Sequence, residues 1–151
     1  MSITLDKKYK LGATGELQNI ADIGWGYDKE GSPLKNSTGN LRTWKFLAKN
    51  VHDFVWAADP DYKHITRKTT NGPLLHFIYK EDKNMEEYWQ ATADSCAMIY
   101  PFMAKTFGAY TYPVYSFLHG GGGGTEYPMA TLLEIIHLRQ LCMSGAIAGT
   151  R

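Results

Sequence analysis

The stretch with the most chemical content is a run of five glycines, Gly120 to Gly124, followed at once by Thr125, Glu126, Tyr127 and Pro128. Glycine runs can cradle a phosphate, because their backbone N–H groups converge on an anion at a helix start. Here no Lys-Ser/Thr pair follows, the glycines lack the regular spacing of a nucleotide loop, and the next charged residue is an acid that repels phosphate. The same residues suit a cation better. A strand edge bare of side chains lets a second backbone come close, and a carboxylate just beyond it pairs with positive charge. The α-amine that opens a peptide is such a cation, so Glu126 is a candidate for recognising a free amino terminus. The plain alternative is a surface carboxylate on a turn.

Other reactive side chains form no recognisable set. His52, His64, His76, His119 and His137 show no pairing at i, i+4, and only Glu134 with His137 resembles part of a helical metal motif. Ser95 and Ser116 lack a Gly-x-Ser-x-Gly setting, and Cys96 lies on an apolar helical stripe where a packed thiol is expected. Tyr110, Tyr112, Tyr115 and Phe117 could stack on bases, but without interleaved basic residues they read as packing. Sixteen Lys+Arg against fifteen Asp+Glu give a formal charge of +1, which argues against nucleic acid as a partner. No apolar run reaches the roughly 18 to 20 residues of a spanning helix, and Met1 to Lys8 lacks the apolar core of a signal peptide. Cys96 and Cys142 are too few for a disulfide framework and too far apart for a redox pair, so compartment stays open.

The elements that must position Glu126 follow from pattern. The first forty residues, rich in Gly, Asn, Ser, Thr and Lys, read as strands joined by long turns. Thr43 to Ala48 alternates apolar and polar side chains, and Val51 to Ala57 is a second aromatic and β-branched run, so both are expected strands. Asp59-Pro60-Asp61 interrupts, and a domain boundary is placed there. Tyr62 to Thr70, a turn at Asn71-Gly72-Pro73, and Leu74 to Tyr79 predict a hairpin. Asn84 is the expected N-cap of a long amphipathic helix carrying Met85, Trp89, Thr92, Cys96, Ile99, Met103 and Phe107, stopped by Gly108 and kinked or broken near Ala97 by Pro101. Tyr110 to Leu118 is an aromatic strand, and Ala130 to Leu141 reads as a helix. The class is α+β.

Three segments carry a resemblance: Lys8 to Gly26 (KYKLGATGELQNIADIGWG), Thr43 to Tyr62 (TWKFLAKNVHDFVWAADPDY) and Tyr100 to Leu132 (YPFMAKTFGAYTYPVYSFLHGGGGGTEYPMATL). They resemble the aminopeptidase N-like family of zinc metallopeptidases, particularly its bacterial branch. The resemblance implies that residues 1–58 are the end of an N-terminal β-sandwich domain, that residues 59–132 begin a thermolysin-like catalytic domain, and that 133–151 is a divergent tail. The family's exopeptidase motif, Gly-x-Met-Glu-Asn, aligns with Gly123-Gly124-Thr125-Glu126-Tyr127. By that alignment Glu126 binds the substrate's α-ammonium group, and Gly123 and Gly124 align the peptide as an added strand. Thr125 stands in place of Met and Tyr127 in place of Asn, although Tyr-Pro resembles the bacterial branch.

In the family this motif precedes a His-Glu-x-x-His helix and a further Glu, which hold Zn²⁺ and supply the general base. No such motif is present, and after Leu132 the resemblance stops. The expectation is a fragment, produced by a shifted reading frame or truncation, that carries the amino-terminus recognition segment of a zinc aminopeptidase. It is expected to bind no zinc and to hydrolyse nothing alone, its partner being a peptide with a free N-terminus. A helix stripe lacking its full set of partners should also expose apolar surface and promote self-association. The alternatives are a non-catalytic peptide-amine binding module and a structural remnant.

Overall fold

The computed structural model describes residues 1–120 and 125–134. Among the described residues there are ten strands, which form three sheets, and two helices: β1 (Ser2–Asp6), β2 (Lys10–Ala13), β3 (Glu16–Leu17), α1 (Ile20–Ile23), β4 (Leu41–Leu47), β5 (Trp56–Asp59), β6 (Tyr62–Lys68), β7 (Leu74–Lys80), α2 (Glu86–Phe107), β8 (Val114–His119), β9 (Thr125–Tyr127) and β10 (Ala130–Leu133). The fold is α+β. A three-stranded sheet has the order β1-β4-β3, β2 pairs with β5, and a five-stranded sheet has the order β6-β7-β8-β10-β9.

Alternation builds the N-terminal sheet. Along β4, Arg42, Trp44 and Phe46 turn inward while Leu41, Lys45 and Leu47 face out, the period of two that a half-buried strand requires. The inward Arg42 guanidinium is satisfied by the Lys7 carbonyl at 2.7 Å and the Lys35 carbonyl. The hairpin of β6 and β7 is antiparallel, with Tyr62 opposite Lys80 and Lys68 opposite Leu74. From β7 the chain crosses through α2 to β8, parallel to β7, then through the edge strand β9 to β10, which slots in parallel to β8.

β7 is buried on both faces, which is why its sequence is a nearly unbroken apolar run. Leu75, Phe77 and Tyr79 pack with Met85, Trp89 and Ala93 of the α2 side, and Ile78 joins Leu118, Ala130, Tyr62, Leu11, Ile23 and Trp44 on the other. That second core spans the Ala58–Asp59 junction. At Gly12 the two parts meet so closely that a Cβ would lie 2.5 Å from both Ile78 Cδ1 and Leu118 Cδ2. Trp89 is fully buried and stacked on Tyr79, ring centroids 4.8 Å apart.

Several local expectations need correction. Ala130 to Leu133 is a strand and not the start of a helix, because β8 and β9 offer it ladder partners on both sides; residues 135–141 of that expected helix lie outside the described residues. The second early strand is Trp56–Asp59, paired to β2, and Val51 to Val55 is irregular. The aromatic strand begins at Val114, Tyr110 to Pro113 leading into it. The α2 N-cap is Met85 and not Asn84: the Asp82 carbonyl accepts from Met85 and Glu86 N–H, and the Asp82 carboxylate from Asn84 N–H at 2.9 Å. Helix α2 runs unbroken through Pro101 to Gly108, whose N–H donates to the Ala104 carbonyl at 3.0 Å. Among the described residues no helix is long and apolar enough to cross a membrane.

Candidate functional site

Glu126 sits in the middle of β9, the outermost strand of the five-stranded sheet, and is exposed. A tight turn puts it there. Tyr127, Pro128 and Met129 reverse the chain, with Met129 in the left-handed region at φ 63°, and β10 then runs back antiparallel so that Thr125 faces Leu132, Glu126 faces Thr131 and Tyr127 faces Ala130. Proline at this position cannot continue a ladder and so suits the turn. Thr131 Oγ1 donates to the Thr125 carbonyl at 3.0 Å, tying the edge strand to its neighbour. On the inner side, the Met129 carbonyl accepts from Ser116 N–H at 2.9 Å, which ties the turn to β8.

The register decides which face Glu126 occupies. Thr131 pairs with Phe117 on β8 and with Glu126 on β9, so Glu126, Thr131, Phe117 and Tyr115 share the face that carries α2. Burial pushes the Tyr115 phenol up, and the negative charge of Glu126 pushes it further the same way. An aromatic wall therefore stands behind the exposed carboxylate: Tyr115 and Phe117 are 5.0 Å apart, and Phe117 stacks on Phe77 at 4.5 Å.

The glycine run enters from β8, with Gly120 N–H donating to the Leu133 carbonyl at 3.1 Å. Gly123 and Gly124 lie outside the described residues. The site thus consists, as described, of Thr125, Glu126 and Tyr127 on a sheet edge whose outer side pairs with no described strand.

The remaining reactive groups are placed apart from this edge. His64 and His76 are buried together with Nε2 to Nδ1 at 2.9 Å, and His64 Nδ1 is 2.8 Å from the Trp25 carbonyl. His119 Nδ1 accepts from Lys80 N–H at 3.1 Å, with burial pulling its titration down. His52 is exposed beside Asp53 at 3.5 Å, and His137 lies outside the described residues. Among the described residues no group of three or more His, Cys, Asp or Glu could hold a metal ion. Ser116 is buried in β8, and burial pushes the Cys96 thiol up to about 11, which disfavours the thiolate a nucleophile needs.

A cavity of about 510 Å³ opens between the C-terminal half of α2 and the aromatic segment before and within β8, with Ile99, Met103, Phe107, Tyr110, Tyr112 and Tyr115 among its walls. The helical stripe signalled apolar residues there that would lack partners, and Ile99, Met103 and Phe107 are exposed, but it did not signal that they would border a cavity with the tyrosines before and within β8.

Compared with known proteins, the sequence matches no family model and no curated protein.

Proposed function

We propose that Glu126 and the edge strand β9 recognise the amino terminus of a peptide. In this reading the chain is a fragment of an aminopeptidase N-like zinc metallopeptidase. Residues 1–58 are the end of its β-sandwich domain, and residues 59–132 are the start of its thermolysin-like domain. The observation that carries the reading is the position of Glu126: an exposed carboxylate on a strand whose outer side pairs with no described strand. A peptide laid along β9 exchanges main-chain hydrogen bonds, and its leading ammonium group pairs with Glu126. The resemblance of Gly123-Gly124-Thr125-Glu126-Tyr127 to the family's exopeptidase motif supports the same assignment.

Zinc chemistry does not fit the donors described. The two closest imidazoles, His64 and His76, spend three of their ring nitrogens on each other and on the Trp25 carbonyl, and no carboxylate or thiol completes a set with them. The role proposed for this chain is to bind. The binding should be weak. An exposed ion pair contributes about 0–1 kcal/mol and each added backbone hydrogen bond about 0.5–1.5 kcal/mol.

A peptide carrying a fluorophore at its C-terminus tests this by anisotropy. Binding should weaken, by up to about fivefold, when the peptide is amino-terminally acetylated and when Glu126 is replaced in Glu126→Gln, while a chromogenic amino-acid amide stays uncleaved with or without added Zn²⁺. Equal binding of the acetylated peptide, or none by either, would overturn the proposal; zinc-dependent turnover would show that the chain builds a metal site after all.

A further inference from the structure

Helix α2 is longer than the sheet that supports it. Its 22 residues span about 33 Å, whereas the seven-residue strand β7 spans about 23 Å. The consequence is visible in burial: Met85, Trp89 and Ala93 are packed away, but Met98, Ile99, Phe102, Met103 and Phe107 are exposed, from 43% for Met103 to 76% for Phe107. These five side chains make two features side by side. Ile99, Met103 and Phe107 border the 510 Å³ cavity, whose far wall is tyrosine, while Met98 and Phe102, one turn apart, form a ridge on the neighbouring flank.

We propose that a second copy of this chain covers this surface, with the two α2 helices antiparallel across a twofold axis and each Met98/Phe102 ridge seated in the other copy's groove. A ridge beside a groove on one helix is self-complementary under a twofold rotation, which is what an isologous interface requires. The area is sufficient. With a full large side chain presenting on the order of 150–250 Å², the exposed fractions leave roughly 600 Å² open per copy. Paired, that reaches the lower end of the roughly 1,200–2,000 Å² that specific interfaces bury. Charge agrees with the antiparallel sense. Residues 98–107 of α2 carry one charge, Lys105, whereas its first half carries Glu86, Glu87 and Asp94, so antiparallel packing brings Lys105 towards the acid-bearing half of the other copy. This inference does not depend on the peptide-binding reading of Glu126.

Sedimentation velocity from about 2 to about 200 µM tests it directly, a range that brackets micromolar dimers. The mass should rise from 17.0 kDa to a plateau at twice that value. Phe102→Glu and Met98→Glu should each weaken association by about 30-fold or more with unchanged circular dichroism, because both side chains are exposed. Lys105→Glu should weaken it several-fold at low salt. The proposal is overturned by a mass constant at 17.0 kDa, whether the groove stays open or another segment fills it. It is equally overturned by open-ended aggregation without a dimer plateau, or by association indifferent to Phe102→Glu and Met98→Glu.

Discussion

His64 donates from Nδ1 to the Trp25 carbonyl at 2.8 Å and therefore accepts at Nε2 from His76 Nδ1–H, 2.9 Å away. A carbonyl can only accept, so the tautomers of both rings are fixed by this chain, with one proton on each. Tyr27 closes over the pair, its ring centroid 4.5 Å from His64 and 5.2 Å from His76. The two imidazoles thus clamp the Trp25–Tyr27 segment onto the β6–β7 hairpin, and the clamp works only while both are neutral.

Acid should release it. Burial holds His64 down at about 4 against the partial opposition of the Trp25 carbonyl and Glu30, and burial together with His64 holds His76 well below its ordinary value. The unfolded chain takes up these protons near pH 6.5, so between pH 6.5 and about 4 it binds more protons than the folded one. Stability is fully present above pH 6.5 and falls as pH drops through that window, by about 3 kcal/mol for His64 alone. Urea midpoints measured from about pH 7.5 to about pH 4.5 should show this fall, with a shallower slope in His64→Phe. A midpoint independent of pH would mean the pair is not buried neutral.

Gly12 carries the contact between the early strands and the five-stranded sheet. A methyl group there would meet Ile78 Cδ1 and Leu118 Cδ2 at 2.5 Å, and both side chains are fully buried with little room to yield. Gly12→Ala is expected to destabilise the chain by about 1–3 kcal/mol, the usual cost of overpacking. Because the core joins residues from both sides of the Ala58–Asp59 junction, the loss should appear as one shifted denaturation curve. Two separate transitions, one unchanged, would show that the two parts unfold independently.

What the sequence could reveal divides along physical lines. The β6–β7 hairpin and the alternation of β4 were legible because strand period and turn chemistry are local. Glu126 was legible as a candidate from its setting between glycines and Tyr127-Pro128, but its place on an outer strand is a matter of sheet order. The same nonlocal pairing turned Ala130–Leu133 into a strand, since an apolar run of that length suits helix or buried strand equally until its neighbours are known. The His64–His76 clamp was invisible for the same reason: twelve residues separate them in sequence, and only the hairpin register brings them onto one face.

Pro101 supplies the last test, because α2 continues through it where a kink or a break was expected. Proline has no N–H to donate to the Ala97 carbonyl, and its ring crowds that carbonyl, so the helix beyond is held by fewer bonds than its length implies. Pro101 is exposed, as are Phe102, Met103, Lys105, Thr106 and Phe107 after it. Pro101→Ala restores the donor and should raise amide protection across residues 101–107 by about 10-fold or more, since proline disfavours a helix interior by up to about 3 kcal/mol. Global stability should change by less than about 1 kcal/mol, because the segment opens on its own before the core does. Unchanged protection would mean that tertiary contacts, rather than the helical hydrogen-bond ladder, hold the C-terminal turns of α2 in place.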